Sequence, residues 1–148
     1  MISRPWLDHY EPNLPHTLKP YPDQTLLDVM SATVSQRPDH TALIFKGTRM
    51  SYARLEEQTN TFGAALVALG VAKGDRVALL LPNSPQSIIA QLGAWKAGAI
   101  VSPINPLYTT YELENALNEI GAQTVVVLTS FYEKVKSLQP RTGVRRVI

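Results

Sequence analysis

The sequence predicts an α/β fold: a layered, mostly parallel sheet flanked by helices, with a short β-hairpin and an extended, proline-rich N-terminal arm. Three observations carry this. Val77-Ala78-Leu79-Leu80-Leu81 and Thr124–Leu128 are nearly unbroken apolar runs, the composition of strands covered on both faces. Between such runs lie stretches whose apolar residues recur at helical spacing, each opened by a capping residue and closed by glycine. The connections are short, two to six residues, which favours layered crossover units over separate domains.

Residues 1–24 read as the arm. Five of the eleven prolines, Pro5, Pro12, Pro15, Pro20 and Pro22, fall there, and each fixes φ and disfavours helix before it. Trp6, Tyr10 and Tyr21 would let this strip lie against a surface. Residues 25–148 read as the domain proper. Thr25 caps a first helix with Leu26, Met30, Thr33 and Val34 inward, ending near Arg37-Pro38. A strand over Thr41–Lys46 turns through Gly47-Thr48 into a short strand, Arg49–Ser51. Ser51 caps a helix whose stripe is Leu55, Thr59, Phe62, Leu66 and Leu69, stopped by Gly70.

The strand Arg76–Leu81 follows. Ser84 then caps a helix with Pro85 at its first position and Ile88, Ile89, Leu92 and Trp95 as its stripe. Ala99–Ser102 is the next strand. Thr109-x-x-Glu112 forms a capping box ahead of Leu113, Ala116, Leu117 and Ile120. The strand Thr124–Leu128, a helix opened by Ser130-x-x-Glu133 and a last strand, Val144–Ile148, complete the pattern. The final residues are apolar β-type sequence with no polar tail, and a sheet edge ending so would lie unpaired. We therefore expect a piece of a longer chain.

Composition removes several classes. A net charge of +2 without a basic, aromatic-interleaved stripe argues against nucleic acid; the cluster Lys134, Lys136, Arg141, Arg145 and Arg146 reads as a solvated surface. Without cysteine there is no disulfide, thiolate metal site or thiol nucleophile. No apolar run approaches the ~20 residues of a membrane span, and the N-terminal residues do not form a signal-peptide apolar region. The expected location is the cytoplasm, with a peripheral seat on the inner face of the membrane as the alternative.

No phosphate loop, dinucleotide fingerprint or nucleophile elbow is present. Gly70-Val71-Ala72-Lys73-Gly74-Asp75 follows a helix and precedes a strand, the reverse of a phosphate cradle. His9, His16 and His40 share no i, i+4 spacing, so no metal site is expected. The carboxylates fall mostly in turns and first helical turns, where they favour the helix dipole, and none pairs as acid and base.

Met50-Ser51-Tyr52-Ala53-Arg54-Leu55, Gly74-Asp75-Arg76-Val77-Ala78, Pro82-Asn83-Ser84 and Ala94-Trp95-Lys96-Ala97-Gly98-Ala99 through Pro103-Ile104-Asn105 resemble, in order and spacing, the opening of the adenylate-forming enzymes. The arm Arg4–Tyr10, Pro15-His16 and Asn105-Pro106-Leu107-Tyr108-Thr109 resemble the long-chain fatty acyl-CoA ligases in particular. The resemblance implies part of a large adenylate-forming domain. It also implies ATP, Mg²⁺ and CoA as cofactors of the parent enzyme: a fatty acid is activated to acyl-AMP with release of pyrophosphate, then passed to CoA. The family's phosphate loop, nucleotide contacts and catalytic lysine come later in its chain, so no catalytic residue is assigned and the 148 residues alone are expected to be inactive. Asn105, Pro106 and Tyr108 are placed near CoA by the resemblance; a proline-stiffened crossover loop is the structural alternative. A ligase for an aryl, medium-chain or amino acid, and a free-standing oligomerisation or regulatory module, stay open as rivals. Self-association through an exposed apolar face is a further expectation.

Overall fold

The computed structural model describes residues 3–148. The arm opens with a 3-10 helix at Pro5–His9, where Pro5 supplies the helical φ without needing its missing N–H. Its edge-to-face contact between Tyr10 and His16 is local, with ring centroids 6.0 Å apart. Trp6, Tyr10 and Tyr21 are exposed, and of residues 3–24 only Leu7 is partly buried.

Helix α1, Leu26–Gln36, is closed at its start by a reciprocal box: Thr25 Oγ1 accepts from the Asp28 N–H while the Asp28 carboxylate accepts from the Thr25 N–H. Its inward positions are Leu27, Met30, Thr33 and Val34, all partly buried. Leu26, expected inward, is 67% exposed. Leu26 shares the helical face of Met30 and Thr33 but is the first residue of α1, and Leu27 takes the partly buried place in that opening turn.

Strands β1, Thr41–Phe45, and β2, Thr48–Ser51, form an antiparallel hairpin. The turn is Lys46-Gly47, one residue earlier than the sequence suggests. Both residues have positive φ, 48° and 82°, the mirror-image turn whose twist suits a two-residue hairpin.

Ser51 then caps helix α2, Tyr52–Ala68, through the Arg54 N–H. Its buried positions are Leu55, Thr59, Gly63 and Leu66, while Leu69 lies outside the helix and half exposed. Strand β3, Arg76–Leu80, is followed by helix α3, Pro85–Lys96, with the expected Ser84 cap and Pro85 start. Strand β4, Ile100–Pro103, helix α4, Thr110–Ile120, strand β5, Thr124–Val127, helix α5, Tyr132–Leu138, and strand β6, Arg146–Val147, complete the domain. Ser130 does not cap α5. It lies in a 3-10 turn, Thr129–Phe131, that delivers the chain into the helix without a side-chain cap.

The main sheet is four parallel strands in the order β4-β3-β5-β6. Its two inner strands, β3 and β5, are buried on both faces, as the apolar runs require. Along β3, Val77 and Leu79 join Leu66, Ala90 and Ala94 beneath α2 and α3; Ala78 and Leu80 join Leu113, Leu117, Val135 and Leu138 beneath α4 and α5. Val125 and Val126 divide between the same two layers. One alternating strand thus serves two cores.

Helix α3 turns a different face inward from its large apolar residues. Ala90, Gly93 and Ala94 are buried, while Ile88 is exposed and Ile89, Leu92 and Trp95 are only partly covered. The cause is α2, which crosses α3 at backbone contact. A methyl group at Gly63 would come within 2.8 Å of the Gly93 carbonyl oxygen, and one at Gly93 within 3.0 Å of the Thr59 carbonyl. One turn further along, Lys96 Nζ donates to Thr59 Oγ1 at 2.9 Å and Asn60 Oδ1 at 2.7 Å and pairs with Glu56 Oε2 at 2.7 Å. Small residues set the distance and the lysine pins the crossing.

Gly63→Ala therefore separates two opposing effects. Helix propensity alone favours alanine by about 1 kcal/mol, but the obstructing atom belongs to backbone and cannot rotate aside. We expect a net loss of about 1–3 kcal/mol, the usual cost of overpacking, in urea unfolding followed by circular dichroism. Leu69→Ala, at a half-exposed position, should shift stability by only about 0.5 kcal/mol.

Candidate functional site

Parallel strands present all their carboxyl ends at one edge, and open sheets of this kind bind ligands where successive crossovers leave on opposite faces. Here that point lies between β3 and β5. The chain leaves β3 through Leu81–Ser84 to α3 on one face, and leaves β5 through Leu128–Phe131 to α5 on the other. A narrow apolar crevice of about 240 Å³ sits there, walled by Phe62, Leu81, Ile89, Val127, Leu128 and Ile148. Its walls come from four elements far apart in sequence, so no local motif announces it.

The sequence-derived residues Asn105, Pro106 and Tyr108 lie at the same edge, in the loop from β4 to α4. Ile104 roots this loop in the core: it is buried, and its N–H donates to the Leu79 carbonyl at 2.9 Å. Asn105 Oδ1 accepts from the Leu107 N–H at 3.0 Å and the Asn105 carbonyl from the Tyr108 N–H at 3.1 Å, a compact turn. Pro106 is partly buried, Asn105 and Tyr108 are exposed, and Leu107 stands out at 85% exposure. No described residue hydrogen-bonds the Tyr108 hydroxyl or the Asn105 amide nitrogen, leaving a phenol and an amide available to a polar ligand.

The loop ends in the predicted capping box. Glu112 Oε2 accepts from both Thr109 N and Thr109 Oγ1 at 2.8 Å, and Thr109 Oγ1 accepts from the Glu112 N–H at 3.3 Å. The Thr109 amide, and after it the hydroxyl, hold the Glu112 carboxyl below its ordinary value of 4.5, with Lys134 adding a smaller pull. Lys134 Nζ also donates to the Tyr108 carbonyl oxygen. Asp28 in the α1 box is lowered in the same way, by the Thr25 hydroxyl and then its amide.

A second, wider cleft of about 840 Å³ opens between the hairpin and the start of α3. Leu43, Phe45, Met50 and Ile89 line its apolar part, and Lys46, Arg49 and Arg54 its cationic side. Arg54 is paired with Glu57 at 2.5 Å. Sequence reasoning missed this cleft because it exists only once the hairpin folds over α2. Among the described residues no three His, Asp or Glu side chains gather as metal ligands. No helix among the described residues is long and apolar enough to cross a membrane.

The family described as AMP-binding enzyme matches residues 30–148. The chain belongs to it. Long-chain-fatty-acid–CoA ligase from Escherichia coli O157:H7 is 37% identical over 148 residues, 99% of this chain and 26% of that protein. The Bacillus subtilis long-chain-fatty-acid–CoA ligase is 34% identical over 146 residues, again 99% of this chain and 26% of its own length. The crystal structure of a long-chain-fatty-acid-CoA ligase from Archaeoglobus fulgidus superposes with a TM-score of 0.81 and 32% identity, covering 86% of this chain and 27% of that one. The chain thus spans about a quarter of the length of the curated relatives it matches. The TM-score shows that the fold described above is shared with part of that solved ligase.

Both capping boxes make a pH prediction. Their carboxyls are lowered by bonds that exist only in the folded state, so their contribution is complete above the ordinary carboxylate values and is lost as pH falls through the lowered ones. Thermal melting should decline between about pH 5 and pH 3. Glu112→Gln should flatten that decline, lowering stability at neutral pH more than in acid.

Proposed function

We propose that the polypeptide carrying this sequence is a long-chain fatty acid–CoA ligase that forms AMP. In the first step a fatty acid carboxylate attacks the α-phosphorus of ATP and expels pyrophosphate, with Mg²⁺ neutralising phosphate charge. In the second the CoA thiolate attacks the acyl-adenylate carbonyl and expels AMP. One observation carries the choice of acid. The AMP-binding family match begins at residue 30, whereas the long-chain ligases match across 99% of the chain, arm included. The arm is thus shared with the fatty acid branch.

In this reading residues 1–24 are an N-terminal arm and residues 25–148 the N-terminal part of the large domain. They supply scaffold, and they supply the Asn105–Thr109 loop as a CoA contact. Asn105, Pro106 and Tyr108 suit that role through their position beyond the carboxyl end of a parallel strand and through the open amide and phenol. No residue of the chain is assigned to the chemistry itself. Cytoplasmic residence, with peripheral contact to the inner membrane face, suits a cysteine-free chain handling fatty acids. The exposed cluster Ile44, Phe45 and Ile88 is the surface for self-association in this reading, and light scattering should show a mass that rises with concentration.

The native polypeptide should convert palmitate, ATP and CoA to palmitoyl-CoA, AMP and pyrophosphate, while the 148 residues alone should give no ATP–pyrophosphate exchange above background. Preference for aryl or amino acids over palmitate would replace the fatty acid assignment. Tyr108→Ala and Asn105→Ala should raise the KM for CoA roughly 2–10-fold, the scale of one lost hydrogen bond, and leave the KM for ATP in place.

A further inference from the structure

The hydrogen bonds that shape the Asn105–Thr109 loop come mostly from within it, and the Tyr108 hydroxyl and Asn105 amide nitrogen stay open. Asn105 serves the Leu107 and Tyr108 amides, and Thr109 is bound to Glu112 in the first turn of α4. Ile104 N to the Leu79 carbonyl holds only the root. Among the described residues one hydrogen bond reaches the loop's outer part from another element: Lys134 Nζ of α5 to the Tyr108 carbonyl. Lys134 lies 26 residues away in sequence and is partly buried. The contact joins the crossover leaving β4 to the helix that follows β5.

The surroundings explain how an ammonium is tolerated there. The first turn of α4 exposes unpaired amides and carries partial positive charge, which repels a cation. Glu112 offsets it. Its carboxylate accepts both Thr109 groups and is itself held ionised in part by Lys134. The Lys134 ammonium and the Tyr108 carbonyl thus form a strut, with the Glu112 carboxylate attracting Lys134 through space. Leu107 is left exposed at the tip of the loop.

We propose that Lys134 is a positioning residue: its bond to the Tyr108 carbonyl holds the Asn105–Thr109 loop in the conformation that receives CoA. The second half of this statement rests on the reading of that loop as a CoA contact; the first half does not. Lys134 touches no reacting atom in this scheme and acts only through the loop.

Two measurements separate the halves. Hydrogen exchange on the native polypeptide, with wild type, Lys134→Ala and Lys134→Arg compared, reads the strut directly. The Leu107 and Tyr108 amides should exchange about tenfold faster in Lys134→Ala, the scale of a lost charge-assisted hydrogen bond. Lys134→Arg should restore protection, and the amides of β3 should be unchanged, which excludes global destabilisation. Equal exchange in wild type and Lys134→Ala would overturn the proposal. Steady-state kinetics then read the consequence: the KM for CoA should rise several-fold in Lys134→Ala while that for ATP moves less, again with rescue by arginine. Loosened amides with an unchanged KM for CoA would retain the strut and overturn the CoA assignment of the loop.

Discussion

Strand β3 is hydrogen-bonded along both edges and covered on both faces, and the rest of the domain is arranged around that condition. A strand paired on two sides has no free backbone groups to lose to water. Its alternation then forces Val77 and Leu79 one way and Ala78 and Leu80 the other, so two helical layers are needed. Over one face α2 and α3 cross at backbone contact, which Gly63 and Gly93 allow. The layer under α4 and α5 is filled by leucine and valine instead. The two faces thus meet the same demand with different side-chain volumes.

The same topology decides where ligand chemistry can occur. All four parallel strands point their carboxyl ends to one edge, so the loops after β3, β4 and β5 are gathered there whatever their sequences. The switch between β3 and β5 opens an apolar crevice, and the β4–α4 loop sets an exposed amide and phenol at the same edge. A rigid root at Ile104 with an exposed tip at Leu107 is a suitable build for a ligand loop: fixed where it leaves the core, adaptable where it meets its partner. The long-chain-fatty-acid–CoA ligases that match this chain are about four times its length.

Where local chemistry dominates, sequence and structure agree. Thr25, Ser51, Ser84 and Thr109 all cap helices because a short oxygen-bearing side chain before a helical stripe has one favourable use, accepting from the first free amides. Ser130 resembles them in pattern yet does not cap, since a 3-10 turn at Thr129–Phe131 spends those amides first. Hydrophobicity alone predicts Leu26 of α1 and the Ile88, Ile89, Leu92 and Trp95 stripe of α3 to face inward. The structure places Leu27 inward in α1, and in α3 it buries the small residues Ala90, Gly93 and Ala94, because closeness of approach, not apolar size, ranks the faces of a helix packed against backbone.

The sequence by itself determined the class of fold, the order of elements, four of the five α-helix starts and, through its motifs, the family. Each of these depends on residues within one turn or strand of each other. Tertiary structure alone decided which face α3 buries, the meeting of Gly63 with Gly93, the placement of Lys96 and Lys134 against partners 26 to 40 residues away, and the crevice at the strand ends. Those features arise from contacts between distant segments. Hydrophobic period sets only how a segment can fold, whereas the distance and angle at which two segments meet are set jointly by both.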